Sequence, residues 1–170
     1  RALPRVGDAA ALDLERILAL APELIVAWPY TTPAQLAALR AQRIAVFVSD
    51  PKSIAGIADD VEKLGALAGT KGTAQPVAAA LRARRAALAA QFAAAPRVSV
   101  FYEVWHEPLY TVGGRHLISE AIATCGGDNV FAALTLPAPS VTVEAVVAAR
   151  PDVIVGGADD GGRPPWLDAW

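Results

Sequence analysis

The apolar residues of this chain fall into short runs separated by polar turns and helix-like stretches. Runs of strand length, β-branched or aromatic in character, occur at 24–27, 44–49, 98–104 and 153–155. Such runs bounded by turn residues predict strands. Helical segments lie between them. Thr32-Pro33-Ala34-Gln35 forms a capping box with proline at the first helical position, predicting a helix to about residue 42. Ser53 opens a second helix, expected to stop at Gly69, and Leu117 opens another, ended by Gly126-Gly127. Strands alternating with helices predict an α/β fold with parallel sheets.

The segment 73–95 has a different pattern. It is alanine-rich, with Val77, Leu81, Leu88 and Phe92 along one face and Arg82, Arg84 and Arg85 elsewhere. As one helix of about 22 residues it spans roughly 33 Å. Its length favours a stiff bridge between two lobes over an ordinary crossover helix packed on one sheet. The arginines read as a solvated face.

An internal repeat points the same way. Residues 14–26 and 143–155 are identical at five of thirteen positions and conservative at five more. Each copy is a helical stretch, a proline (Pro22 or Pro151) followed by an acidic residue, then a β-branched run. Proline ends the helix because it lacks an N–H and clashes with the preceding turn. Any helix-to-strand unit of an α/β protein shares part of this pattern, but the shared Glu and the Pro-acidic pair favour two related lobes. The expected organisation is an N-terminal α/β lobe at 1–72, a bridging helix at 73–95 and a C-terminal α/β lobe at 96–170, with both lobes incomplete. The close of the chain, Pro165-Trp166-Leu167-Asp168-Ala169-Trp170, reads as part of a helix, and two exposed tryptophans there are costly to leave in water.

Composition narrows the partners. Of 170 residues, 54% are apolar, enough for a sizeable core. The net charge of −2 gives no reason to expect nucleic acid or an anionic membrane. No apolar run approaches the ~20 residues that cross a bilayer. The first seven residues hold no secretory h-region, so the chain is expected to be cytosolic, mature after cleavage, or trimmed, and the absence of methionine fits the last two. Cys125 is the only cysteine. It reads as a small buried hydrophobe, or as half of a disulfide whose partner lies outside this sequence.

Motifs for nucleotide or hydrolytic chemistry are missing. No GxGxxG follows a strand, and neither GxxxxGK[ST] nor GxSxG occurs. His106 and His116 are the only histidines and read as loop or surface residues, although the neighbours of His106 leave it open as an axial ligand to a bound chelate. Asp159 and Asp160, among the glycines after the last strand, read as a solvated loop.

Aromatic residues supply the positive signal. Trp28 and Tyr30 follow the run at 24–27, while Trp105, His106 and Tyr110 follow that at 98–104. Ligands of open α/β sheets bind outside the carboxyl ends of strands. Aromatic rings offer flat, stiff contact area with a polar tip. A large, planar, partly apolar ligand held between two such walls fits this pattern; packing of the same rings under loops is the plainer alternative.

These residues resemble a known family. The LERILALAPELIVAW segment ending at Trp28 looks like the first lobe of ABC-transporter solute-binding proteins for cobalamin, haem and ferric siderophores. Cys125-Gly126-Gly127-Asp128-Asn129-Val130-Phe131 resembles their second-lobe CGGxNxF segment, and residues 140–155 resemble the stretch after it. The resemblance is closest to the cobalamin branch. It implies a class III periplasmic binding protein of the helical-backbone metal receptor type: two Rossmann-like lobes bridged by one long helix, with more chain on both sides of what is present here. It implies a periplasmic, non-enzymatic role, with no cofactor other than the captured chelate. Trp28 matches a lobe-one tryptophan, Tyr110 matches a lobe-two phenylalanine, and Trp105 lies in the same loop. Ala138, within Leu136-Pro137-Ala138-Pro139, stands where the family carries a second-lobe tryptophan. Glu144 matches a carboxylate that meets arginines of the permease transmembrane subunits. The matching lobe-one position falls at Ala34, and the repeat offers Glu15 instead. Both glutamates also suit a helix N-terminus on electrostatic grounds alone.

Four readings follow. The first is capture of cobalamin for import. The second is capture of haem or a ferric siderophore on the same fold; siderophore clefts often use arginines, and Arg115 is the only cleft-loop candidate. The third is an α/β enzyme built on His106 and Glu107 beside Tyr110. The fourth is a structural fragment that cannot close on a ligand.

Overall fold

The computed structural model describes residues 3–8, 11–157 and 165–170. They divide into two compact units, 1–51 and 52–170.

In the first unit, α1 (Leu14–Ala19) is capped by Asp13, whose carboxylate accepts from the Arg16 N–H at 3.0 Å. β1 (Leu24–Ala27) pairs in parallel with β2 (Ala45–Val48), with Ala27 opposite Val48. Between them α2 (Pro33–Ala41) carries the anticipated capping box: the Gln35 N–H donates to Thr32 Oγ1, and Gln35 Oε1 accepts from the Thr32 N–H. Ile17, Ala27 and Leu39 are the buried hydrophobic residues of this unit.

The second unit opens with two helices, α3 (Ile54–Leu67) and α4 (Lys71–Phe92). Ser53 caps α3, and Gly69 reverses the chain at φ +70°, a conformation open to glycine because it lacks Cβ. The two helices approach closely at Gly65, where an added Cβ would lie 2.1 Å from the Ala74 Cβ. Arg82 of α4 bonds Asp59 and Glu62 of α3 at 2.6–2.9 Å. This side-by-side packing consolidates both helices with the second unit. The division therefore falls at 51/52, whereas lobe limits were expected at 72 and 96. α4 starts at Lys71, two residues before the expected Thr73, and carries Pro76 inside it.

A three-stranded parallel sheet of order β6-β3-β7 forms the centre of this unit. β3 is Val98–Glu103, β6 is Gly127–Asn129 and β7 is Val153–Gly156. A two-residue hairpin, β4 (Trp105–His106) and β5 (Leu109–Tyr110), follows β3 directly. Helices α5 (Leu117–Thr124) and α6 (Val143–Ala149) precede β6 and β7. Phe101, Leu109 and Val146 form the core, with Phe131, Val141 and Ile154 packed against them. The Phe101 and Phe131 rings meet edge to face at 5.8 Å.

The repeated segments adopt the same structure, α1–β1 in one unit and α6–β7 in the other. In each, the residue before the shared proline takes a left-handed conformation, Ala21 at φ 45° and Arg150 at φ 47°. That conformation turns the chain out of the helix before proline blocks its continuation.

Two expectations change. Cys125 is exposed rather than buried, because it is the C-cap of α5 ahead of Gly126 at φ +82° and faces outward from that turn. The closing residues Pro165–Ala169 form a 3-10 helix, and of the two tryptophans Trp170 is 40% exposed while still contacting the core. Trp166 is half-buried, and Trp170 lies edge-on to Phe101 at 5.5 Å. Asp159, Asp160, Gly161 and Gly162 lie outside the described residues.

The second unit is tied together by Asn129 at the end of β6. Its Nδ2 donates to Val112 O and Ser119 Oγ, both at 2.8 Å, and its Oδ1 accepts from the Phe131 N–H at 2.9 Å. Ser119 Oγ in turn donates to Gly113 O at 2.8 Å. Gly113 and Gly114 leave room for this: an added Cβ would lie 2.2 Å from Leu136 O or Ala132 O respectively. Asn129→Ala strands the buried Val112 carbonyl. The expected loss of unfolding free energy is about 1–3 kcal/mol, measured by urea denaturation.

His116 caps α5, its Nδ1 accepting from the Ile118 N–H at 3.1 Å. Burial pushes its pKa below the ordinary histidine value, and protonation would also remove the capping acceptor. The folded state therefore binds fewer protons than the unfolded state just below the usual histidine range. Stability is full above about pH 6.5 and is lost as pH falls through the depressed value. His116→Asn keeps a capping oxygen and lacks the titration. The gap in unfolding free energy between the two proteins is therefore expected to move against the native protein on acidification from pH 7 to 5; a constant gap would refute the coupling.

Candidate functional site

Parallel pairing brings the carboxyl ends of neighbouring strands to one edge. In the first unit that edge is Ala27 beside Val48, and the Ser49 N–H continues the ladder to Ala27 O at 3.1 Å. Trp28 and Tyr30 follow at once. They are 68% and 75% exposed, with ring centroids 5.9 Å apart and planes inclined by 41°. The Thr31 N–H bonds Trp28 O at 3.0 Å, closing the turn that carries both rings. Beneath Trp28 lies an apolar hollow of about 320 Å³ lined by Leu12, Ile17, Leu20, Val26 and Thr31 among others. No ionisable side chain lines it.

In the second unit Glu103 of β3 pairs with Gly156 of β7 at the same edge. The hairpin that follows sets Trp105 across from Tyr110 and His106 across from Leu109. The Trp105 and His106 rings, successive in β4, lie 5.1 Å apart. Trp105 is 55% exposed, and its indole N–H donates to Glu107 O at 2.9 Å. The hairpin is held from beneath by Thr111, whose hydroxyl donates to Tyr102 O at 2.7 Å, and from the side by residues 137–141. The Thr111 and Gly113 N–H groups donate to Pro139 O and Pro137 O, and the Val141 N–H to Leu109 O. Ala138 lies in this flanking segment and is exposed.

The structure thus brings together Trp28 with Tyr30 in one unit, and Trp105 with His106 and Tyr110 in the other. Among the described residues no hydrogen bond joins the side chains of His106, Glu107 and Tyr110, the acid-base centre considered for an enzyme; Trp105 bonds only the Glu107 backbone carbonyl. Among the described residues no group of three His, Cys, Asp or Glu side chains is placed to hold a metal ion. No helix among them is long and apolar enough to cross a membrane.

One neighbour was not anticipated. Trp166 stacks on His106 with centroids 6.1 Å apart and planes within 7°, while the Trp105 ring lies 5.1 Å from the same imidazole. The available sequence signal was a tryptophan shortly after a strand end, as at Trp28, but the intervening glycines and the helical look of the segment concealed it.

Glu15 and Glu144 both lie in the first turn of their helices and are exposed. The Glu144 carboxylate is held below the usual range by its own backbone N–H and by the Thr142 hydroxyl, so it is charged at neutral pH. Arg115 is exposed between the hairpin and α5.

Comparison with known proteins identifies the fold and family. The vitamin B12-binding protein of Vibrio campbellii is 35% identical over 153 residues, covering 89% of this chain and 56% of the relative. That of Photorhabdus laumondii is 38% identical over 156 residues, covering 91% and 57%. The chain thus spans little more than half the length of these relatives. The crystal structure of the periplasmic vitamin B12 binding protein BtuF of Vibrio cholerae superposes with a TM-score of 0.80 at 32% identity, over 98% of this chain and 67% of that one. A periplasmic haem-binding protein from Pseudomonas aeruginosa shares the fold, with a TM-score of 0.80 at 23% identity over 98% and 62%. The sequence profile described as periplasmic binding protein matches residues 1–164. With its strand-end aromatics, its parallel sheets and this match along nearly its whole length, the chain belongs to the periplasmic binding protein family.

Proposed function

We propose that this chain is the ligand-capturing part of a periplasmic substrate-binding protein of an ABC importer, and that its ligand is cobalamin. The observation that carries the reading is the placement of aromatics just past the carboxyl ends of parallel strands in each unit: the exposed Trp28 and Tyr30 in one, the exposed Trp105 and half-buried Tyr110 in the other. Flat, stiff rings with a polar edge suit a bulky macrocycle that is mostly apolar on its faces. The family is one of non-enzymatic transport components, and the relatives reported above are named for vitamin B12 binding. Haem is the second reading, favoured by the exposed His106 imidazole beside Trp105, which offers a nitrogen donor to a chelated metal. Among the described residues Arg115 is the single basic residue in these loops, a poor complement for a highly anionic siderophore.

Titration with cyanocobalamin, haem and a ferric siderophore, followed by tryptophan quenching, separates these ligands. Saturable quenching by cyanocobalamin is expected, and its absence overturns the leading reading. Within that titration Trp28→Ala is expected to weaken binding by about 1–3 kcal/mol, as for an aromatic anchor at an interface. Unchanged affinity would assign Trp28 to packing alone.

The same reading gives Glu144, and by the repeat Glu15, the role of meeting arginines on the permease transmembrane subunits. Both carboxylates are exposed at helix starts, and the Glu144 charge is stabilised at neutral pH. Glu144→Arg is expected to leave cyanocobalamin affinity at its native value while weakening association with the reconstituted permease, measured by co-sedimentation with proteoliposomes. Loss of ligand affinity instead would contradict a docking role.

A further inference from the structure

We propose that Trp166 is a ligand-contacting, specificity-determining residue, backed on one face by His106 and presenting its other face to a planar conjugated macrocycle. The inference rests on the ligand class proposed above and adds a residue to the second unit's share of the site.

Three observations carry it. First, Trp166 is placed at the sheet edge where α/β proteins take ligands. Its indole packs on Gly156, the last residue of β7, so closely that an added Cβ there would lie 2.0 Å from the Trp166 Cη2. Gly156 is also the partner of Glu103 at the end of β3. Second, the ring is parallel to that of His106, within 7°. Stacked parallel rings each cover one face of the other, so His106 backs one face of the Trp166 indole and the opposite face is left for a flat ligand. The Trp105 ring lies 5.1 Å from the same imidazole, inclined by 37°.

Third, the segment bearing Trp166 is anchored rather than draped. The Trp170 indole N–H donates to Glu103 Oε2 at 2.6 Å, and Glu103 is only 1% exposed. A hydrogen bond to a buried carboxyl group is directional and costly to lose. The edge contact of Trp170 with Phe101 adds a second fixed point in the core. One turn of 3-10 helix therefore connects Trp170, bonded to the buried Glu103, to a half-buried ring at Trp166. Glu103 and Trp170 act as positioning residues, and Trp166 presents the ring. An anchored, half-buried tryptophan makes a low-entropy contact, since its conformation is set before any ligand arrives.

The direct test is oxidation of the native chain with N-bromosuccinimide, read at each tryptophan by peptide mass spectrometry, with and without saturating cyanocobalamin. Protection of Trp166 is expected, alongside Trp105. In parallel, Trp166→Leu keeps an apolar contact on Gly156 but loses the aromatic face. It is expected to weaken cyanocobalamin binding about tenfold or more, with Trp166→Phe recovering most of the affinity. Should Trp166→Leu fail to fold, the footprint of the native chain still decides. Saturable binding with equal oxidation of Trp166 in both states, or native affinity in a folded Trp166→Leu protein, overturns this inference alone. Absence of saturable cyanocobalamin binding by the native chain overturns the proposed function and this inference with it.

Discussion

Parallel alignment of β3 between β6 and β7 is the constraint on which the second unit depends. Parallel neighbours require a crossover, so the chain must leave each strand at one edge and return through a helix at the other. All carboxyl ends consequently meet at one edge, and whatever follows them in sequence is gathered there. The hairpin with Trp105, His106 and Tyr110 follows β3, and the segment with Trp166 and Trp170 comes after β7. The first unit repeats the arrangement on two strands, with Trp28 and Tyr30 after β1. Within the second unit, a few apolar strands thus convert aromatic residues far apart in sequence into shared surface.

Holding that edge in shape falls to polar groups more than to apolar packing. The core cluster of Phe101, Leu109 and Val146 fills the interior, but the loops are set by directed bonds. Asn129 links β6 to the strap after the hairpin and to α5 through Ser119. Thr111 ties the hairpin back to Tyr102, and Glu103 holds Trp170. Each buried polar group is expensive unless satisfied, so each also specifies one arrangement. The second-lobe motif from Cys125 to Phe131 is accounted for in these terms: Gly126 supplies a positive φ, Gly127 starts β6 where the Ile122 and Val100 side chains press close, Asn129 makes the network, and Phe131 packs edge-on to Phe101.

Much of the fold was legible because it depends on local rules. The capping box at Thr32 and the Ser53 cap place helix starts within a residue, and Gly69 and Gly126 place the ends, since these features satisfy or redirect the backbone where they stand. The repeat was legible for the same reason, as a helix, a proline and a strand written twice. The left-handed residue before each proline was invisible, because neither Ala21 nor Arg150 advertises that conformation. Cys125 was misplaced because its type favours burial, whereas its position at a helix end decided exposure.

The candidate site divides along the same line. Sequence alone determined that Trp28, Tyr30, Trp105, His106 and Tyr110 follow strands, because strand ends and their successors are covalent neighbours. It also determined the family, whose motifs keep their order along the chain. Only the tertiary structure decided that Trp105 pairs across the hairpin with Tyr110, since the Glu107-Pro108 turn sets the register. Only the tertiary structure brought Trp166 to His106 across some sixty residues of sequence. That contact depends on β7 lying beside β3 and on Glu103 holding Trp170, and long-range pairing of this kind leaves no periodic trace in the sequence of either partner.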